Sequence, residues 1–144
     1  MDIDEKGKRL VWNGVFLFLL GLLTGFAIPN LTNPRLGVAA HMGGLMIGTF
    51  LVGIGLIWGQ VKLKPSVQTF LFWLLLYGGY VHWGSGLLAS IFGTSKMTPI
   101  GGAGSPPVAS WKEMVVNFGL VSHALALVVC CMMILWGLRK GREA

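Results

Sequence analysis

The chain contains three histidines, His41, His82 and His123, and each stands inside a long apolar run. A polar side chain in lipid costs free energy, so each is a candidate functional group. His41 has the most telling surroundings. Gly37, Gly44 and Gly48 fall at i−4, i+3 and i+7 from it, on its own helical face. An imidazole on a face reduced to backbone suits a ligand role toward something flat and bulky. No Asp or Glu occurs between Glu5 and Glu113. That removes a buried carboxylate relay, a two-carboxylate acid–base pair, a hard-cation cage and a di-iron carboxylate centre. Imidazole without carboxylate or thiolate suits a metal already held by a second chelator, as iron is in a porphyrin. The sequence has no C-x-x-C-H, so a haem here is held non-covalently.

The other two histidines sit in comparable settings. His82 belongs to the polar cluster Tyr77-Gly-Gly-Tyr-Val-His-Trp83 and shares a face with Gly79 and Gly86. His123 shares one with Gly119, Ala126 and Cys130. At about 1.5 Å per residue, His41 lies roughly 10 Å below the outer surface, and His82 and His123 about 18 Å. Tyr80 is slightly deeper, too deep for an interfacial belt. These depths allow the groups to converge in the outer half of the membrane. The competing reading is that a neutral histidine hydrogen-bonds across helices and does nothing else; it weighs most on His123, beside Ser122. Cys130 and Cys131 are adjacent, point in different directions and suit packing. Trp12, Trp58, Trp111 and Trp136 lie near the ends of apolar runs and suit a belt, whereas Trp73 and Trp83 lie deeper.

The elements that position these groups follow from composition. Of 144 residues, 54% are hydrophobic and 11% charged, which excludes a water-soluble domain. A spanning helix needs roughly 20 apolar residues. Four runs qualify, at about 10–29, 34–59, 66–94 and 111–138. The expected fold is all-α, a single compact four-helix bundle integral to the bilayer. The first run is too long for a cleavable signal and has no small-residue cleavage site at its end. Gly14, Gly21 and Gly25 form one stripe on it for close helix packing. The net charge of +6 resembles a nucleic-acid footprint, but topology accounts for it. Lys6, Lys8, Arg9, Lys62, Lys64, Arg139, Lys140 and Arg142 share one side of an even number of spans, against Arg35, Lys96 and Lys112 on the other. The positive-inside rule then puts both termini in the cytoplasm, in a multi-pass protein of the inner membrane. The tail ahead of residue 10 is expected at the surface. Residues 96–107, rich in Gly and Pro, are expected to form a lid-like outer loop.

At this point a family resemblance enters. N-P-R-x-G-x-x-A-H, followed by G-x-x-x-G-T-F-L and G-L-I-W, resembles the second helix of the membrane isomerases typified by styrene oxide isomerase and hydroxylaminobenzene mutase. Tyr80-Val-His-Trp83 resembles that family's Y-A-N-W, and Met97-Thr-Pro-Ile-Gly-Gly102 its M-x-P-I-A-G loop. The resemblance covers all four runs in order and spacing. It implies a homotrimer of four-helix subunits with b-type haem bound between neighbours. It places the axial ligand on His41 and the pocket tyrosine on Tyr80. It implies that ferric iron acts as a Lewis acid on a small aromatic epoxide, giving an aldehyde, or on an arylhydroxylamine, giving an aminophenol. Three positions depart from the pattern: Ile47 and His82 stand where the family has asparagine, and Gly43 where an acidic residue is common.

The sequence reading is therefore a haem-b isomerase. His41 holds the metal, Gly37, Gly44 and Gly48 line the cofactor, and Arg35 pairs with a propionate. Tyr80 and His82 position the substrate oxygen, and Leu45 and Trp83 supply apolar walls. Its rival is a bis-histidine membrane cytochrome for electron transfer or haem sensing, with His82 or His123 as second ligand. A cofactor-free structural membrane protein is the third reading.

Overall fold

A computed structural model describes residues 5–140. The chain forms four α-helices: α1 (Glu5–Ala27), α2 (Pro34–Leu56), α3 (Pro65–Phe92) and α4 (Ser110–Lys140). One-turn 3-10 segments, Ile28–Asn30 and Trp58–Gln60, mark the first two connections. Pro34 and Pro65 open their helices, where a missing N–H costs nothing. Gly93, with φ of 70°, closes α3 in the left-handed conformation that glycine adopts without strain.

Packing begins with the α1–α2 hairpin. The buried stripe of α1 is Gly7, Leu10, Gly14, Leu17, Gly21 and Thr24, alternating steps of three and four. Opposite it, the glycines of α2 bring backbone against backbone. A Cβ on Gly55 would stand 2.7 Å from the Gly7 carbonyl oxygen, and one on Gly48 2.7 Å from that of Gly14. A Cβ on Gly44 would stand 2.7 Å from the Gly21 Cα. The stripe expected for close packing thus packs on α2. Counting back from Gly55 and Gly48 in the same seven-residue steps, the next position on α2 is His41.

α3 lies across this hairpin. Gly79 faces Leu17, Ile47 and Leu51, and Gly86 faces Ala40. Two hydrogen bonds tie α3 to α1: Trp83 Nε1 donates to Thr24 Oγ1 at 3.0 Å, and the Tyr80 hydroxyl to Asn13 Oδ1 at 2.8 Å. α4 rests on α3, with Gly78 against Leu127 and Gly119 against Ser85. It packs along neither α1 nor α2. The order of packing is α1 on α2, α2 on α3 and α3 on α4, with α3 also touching α1.

Three helices, α1, α2 and α4, are long and apolar enough to cross a membrane. α3, with 28 residues, has the length, but its central Tyr77-Gly-Gly-Tyr-Val-His-Trp83 makes it less apolar. α1 begins at Glu5, so Lys6, Lys8 and Arg9 belong to its first turns and not to a separate tail. The first four residues, and Arg142 of the charge pattern, lie outside the described residues. One tryptophan differs from expectation: Trp58, expected in the belt, is fully buried in the core with Leu10, Leu71 and Leu75.

The loop between α3 and α4 is irregular but firmly tied. Asn33 caps α2 by accepting from Leu36 N–H at 3.2 Å, and its amide donates to Gly101 O and Ser105 Oγ, each at 3.0 Å. Its carbonyl accepts from Ser90 Oγ at 2.7 Å. Glu113, buried in the first turn of α4, accepts from the backbone N–H of Ser95 at 3.0 Å and Lys96 at 3.3 Å.

Candidate functional site

His41 sits at the seam between α1 and α2. Its Nδ1 is 2.8 Å from the carbonyl oxygen of Gly21. A carbonyl only accepts, so Nδ1 carries the hydrogen and neutral His41 presents Nε2 as a bare lone pair. No partner for Nε2 occurs among the described residues. The ring lies on Gly25, where a Cβ would come within 3.0 Å of Nδ1 and 3.2 Å of Cε1. Val38 and Met42, beside His41 on α2, and Leu22 on α1 are exposed. The imidazole therefore stands at the outer edge of the hairpin, half-buried, among apolar side chains. A backbone acceptor on one nitrogen and a bare second nitrogen is the arrangement found behind metal-ligating histidines.

The glycines expected to line a cofactor lie elsewhere. Gly44 and Gly48 are buried against Gly21, Gly14 and Phe18 of α1, so their smallness admits a helix. Gly37 faces Leu31 and Ser90 near the outer end. Arg35 is exposed in the first turn of α2, and no ion pair involves it among the described residues. Leu45 is half-buried next to the hairpin seam, and Trp83 packs on Gly44.

His82 and His123 form a pair of their own. His82 Nδ1 is 2.8 Å from His123 Nε2, and His123 Nδ1 is 2.9 Å from the Gly119 carbonyl oxygen. The other edge of the His82 ring lies against Gly43 of α2. Residues 41 and 43 point about 200° apart at about 100° per residue, so His41 and His82 lie on nearly opposite sides of α2. The convergence expected from depth does not occur within one chain, and no second imidazole faces His41. Tyr80, on another face of α3, is held by Asn13. Asn13 was not among the sequence candidates; a polar residue inside the first apolar run was the signal for it.

The described residues contain no cluster of three or more His, Cys, Asp or Glu side chains able to hold a bare metal ion.

The family model described as styrene oxide isomerase matches residues 6–139. Hydroxylaminobenzene mutase HabB of Ectopseudomonas oleovorans is 41% identical over 135 residues, covering 93% of this chain and 82% of the relative. Hydroxylaminobenzene mutase HabA of the same organism is 40% identical over 129 residues, covering 89% of this chain and 95% of the relative. No solved structure matches. A helical protein with three membrane-length apolar helices and these relatives is an enzyme of the isomerase and mutase class. The chain belongs to the styrene oxide isomerase family.

Proposed function

We propose that the chain is a haem-b-dependent membrane mutase that rearranges a small arylhydroxylamine to an aminophenol, with aryl epoxides as a second substrate class. The observation that carries the haem assignment is the His41 geometry: Nδ1–H held by the Gly21 carbonyl and Nε2 bare at an apolar edge. Two relatives named for hydroxylaminobenzene favour the hydroxylamine.

His41 Nε2 would hold the haem iron, and Arg35, about 9 Å nearer the outer surface at 1.5 Å per residue, would pair with a propionate. When bound, the ferric haem supplies a Lewis acid for the substrate oxygen. The chain supplies the rest. The Gly21 carbonyl fixes the tautomer and orientation of His41. The exposed apolar side chains Val38, Met42 and Leu22 keep water from the site and so protect a cationic aryl centre from capture. Tyr80 lies on another side of the hairpin and can position a substrate oxygen only from a neighbouring copy. That requirement supports an oligomer with the haem between subunits, and the family resemblance implies that it is a homotrimer.

The charge pattern supports a place in the inner membrane with both termini cytoplasmic. Lys62, Lys64 and Arg139 gather at the end where α1 begins, and Arg35, Lys96 and Lys112 at the other. The bis-histidine alternative loses ground, because His82 and His123 are bonded to each other.

The test is the His41→Ala protein. It should lose the Soret band and arylhydroxylamine turnover together, while holding its fold in detergent. Full turnover in haem-free protein would reject the reading. A tag on either terminus that is protease-accessible in intact cells would reject the orientation.

A further inference from the structure

The first half of α4 carries a groove on the side turned away from the bundle. Ser110, Met114, Asn117, Phe118 and Val121 fall at i, i+4, i+7, i+8 and i+11, on one helical face. With Glu113, and with Lys96 of the preceding loop above them, they line a groove of about 540 Å³. No helix other than α4 contributes to the lining, so the groove opens to the bilayer. Met114, Phe118 and Val121 are exposed in it, Phe118 to 72%.

Its polar groups are arranged by height. At the top Lys96 is exposed, and its ammonium has no partner among the described residues. Glu113 makes no ion pair with it; the two carboxylate oxygens accept from the backbone N–H groups of Ser95 and Lys96. Glu113 is also the only acidic residue at this end of the helices, against Arg35, Lys96 and Lys112. Asn117 lies about 10 Å below Ser110 at 1.5 Å per residue. A polar side chain at that depth needs a partner, and Asn117 has none among the described residues. Its Oδ1 is buried and unpaired, and its Nδ2, also unpaired, is not buried. The groove thus offers a cation at the surface and, beneath it, an accessible neutral donor set among apolar side chains.

We propose that this groove binds a diacyl phospholipid from the leaflet on the side of the α3–α4 loop. The phosphate sits on Lys96 Nζ, an ester carbonyl accepts from Asn117 Nδ2, and an acyl chain runs over Phe118 and Val121. Each part of the lipid meets its complement in the right order of depth. The phosphate takes a charge-assisted hydrogen bond from the ammonium. The ester carbonyl only accepts, and the reachable end of Asn117 only donates. Helical side chains lean toward the helix N-terminus, here toward the membrane surface, which raises the Asn117 amide toward the ester level. A free inorganic anion would satisfy Lys96 and leave Asn117 unpaired, and a hydrocarbon chain alone would satisfy neither. The proposal does not rest on the haem or on the reaction.

The experiment uses the full-length protein purified in detergent and stripped of lipid, with bound lipid counted by native mass spectrometry. The probes are dioleoylphosphatidylglycerol, its diether analogue without ester carbonyls, and dioleoylglycerol without the phosphate; inorganic phosphate is the competitor. Dioleoylphosphatidylglycerol should bind saturably, and Lys96→Gln and Asn117→Leu should each weaken it roughly five-fold or more. Wild type should prefer the ester lipid to the diether, and Asn117→Leu should not distinguish them. Lys96→Gln, at an exposed loop position, carries the test should Asn117→Leu not fold: it should bind the phospholipid no better than wild type binds dioleoylglycerol. Equal binding of ester and diether by wild type, or lipid binding unchanged in both variants, would overturn the proposal. Release of the lipid by inorganic phosphate would assign the groove to a free anion, and a fall in oligomeric mass in Asn117→Leu with lipid binding intact would assign it to a second copy; either result also overturns it.

Discussion

The Nδ1 atom of His41 and the carbonyl oxygen of Gly21 are 2.8 Å apart, across the seam between α1 and α2. The bond exists because Gly25 leaves room for the ring one turn further along α1. Gly25→Val should therefore turn the imidazole off the Gly21 carbonyl. With haem on Nε2, the expected result is a shifted Soret band and haem affinity lowered on the order of ten-fold, a second-shell magnitude. Gly25→Ala should fall between wild type and valine. Titration of apoprotein with hemin reads both, and an unchanged spectrum in the valine variant would show that the α1 contact does not set the ring.

Gly14 and Gly48 test the hairpin itself. A Cβ on either would meet the other's carbonyl oxygen at 2.7 Å, and backbone atoms cannot step aside as a flexible side chain can. Gly14→Val and Gly48→Val should each destabilise by about 1–3 kcal/mol, the overpacking range. The change is to be read from unfolding of the detergent-solubilised protein. Gly53, with nothing within 4 Å of a built Cβ, is the control: Gly53→Ala should be neutral or slightly stabilising.

These two contacts show what was legible in the sequence. The four helices came from apolar length, and the glycine stripe on α1 from spacing alone. The face of His41 was harder. The same pattern of Gly44 and Gly48 serves a flat ligand or a second helix, and only three-dimensional packing distinguishes the two. α1 fills that face, and the imidazole is left at its edge. Depth alone suggested that His41 and His82 meet. It carries no information on rotation about the helix axis, which places them on nearly opposite sides of α2. Trp58 ends an apolar run, as a belt residue does, but the turn at Trp58–Gln60 folds it inward to 0% exposure. Ile47 and Gly43, the departures from the family pattern, now have neighbours: Ile47 packs on Gly79, and Gly43 makes room for the His82 ring.

Tyr80 separates structural from catalytic roles. Its hydroxyl donates to Asn13 Oδ1 at 2.8 Å. Tyr80→Phe should cost about 1 kcal/mol of stability through that bond. Asn13→Ala removes the same bond from the other side, so the two losses should not add in the double variant. If Tyr80 also positions the substrate oxygen, Tyr80→Phe should lower kcat while Asn13→Ala largely preserves it. Equal kcat in the two single variants would confine Tyr80 to holding α3 on α1.

Asn33 governs the outer loop between α3 and α4. Its side chain caps α2 and holds Gly101 and Ser105, so one residue ties the loop to the helix beneath it. Asn33→Ala should cost about 1–2 kcal/mol from the lost cap alone, with more from Gly101 O, which loses a buried donor. The loop should then open to protease between residues 94 and 109 well before the helices unfold. Asn33→Asp separates the two functions: the carboxylate still accepts from Leu36 N–H but cannot donate to Gly101 O or Ser105 Oγ. It should keep most of the helix stability and lose the loop's protection. Limited proteolysis beside thermal unfolding distinguishes these outcomes. Protection equal to wild type in Asn33→Asp would place the anchor at Glu113, whose carboxylate binds Ser95 and Lys96 at the loop's opposite edge.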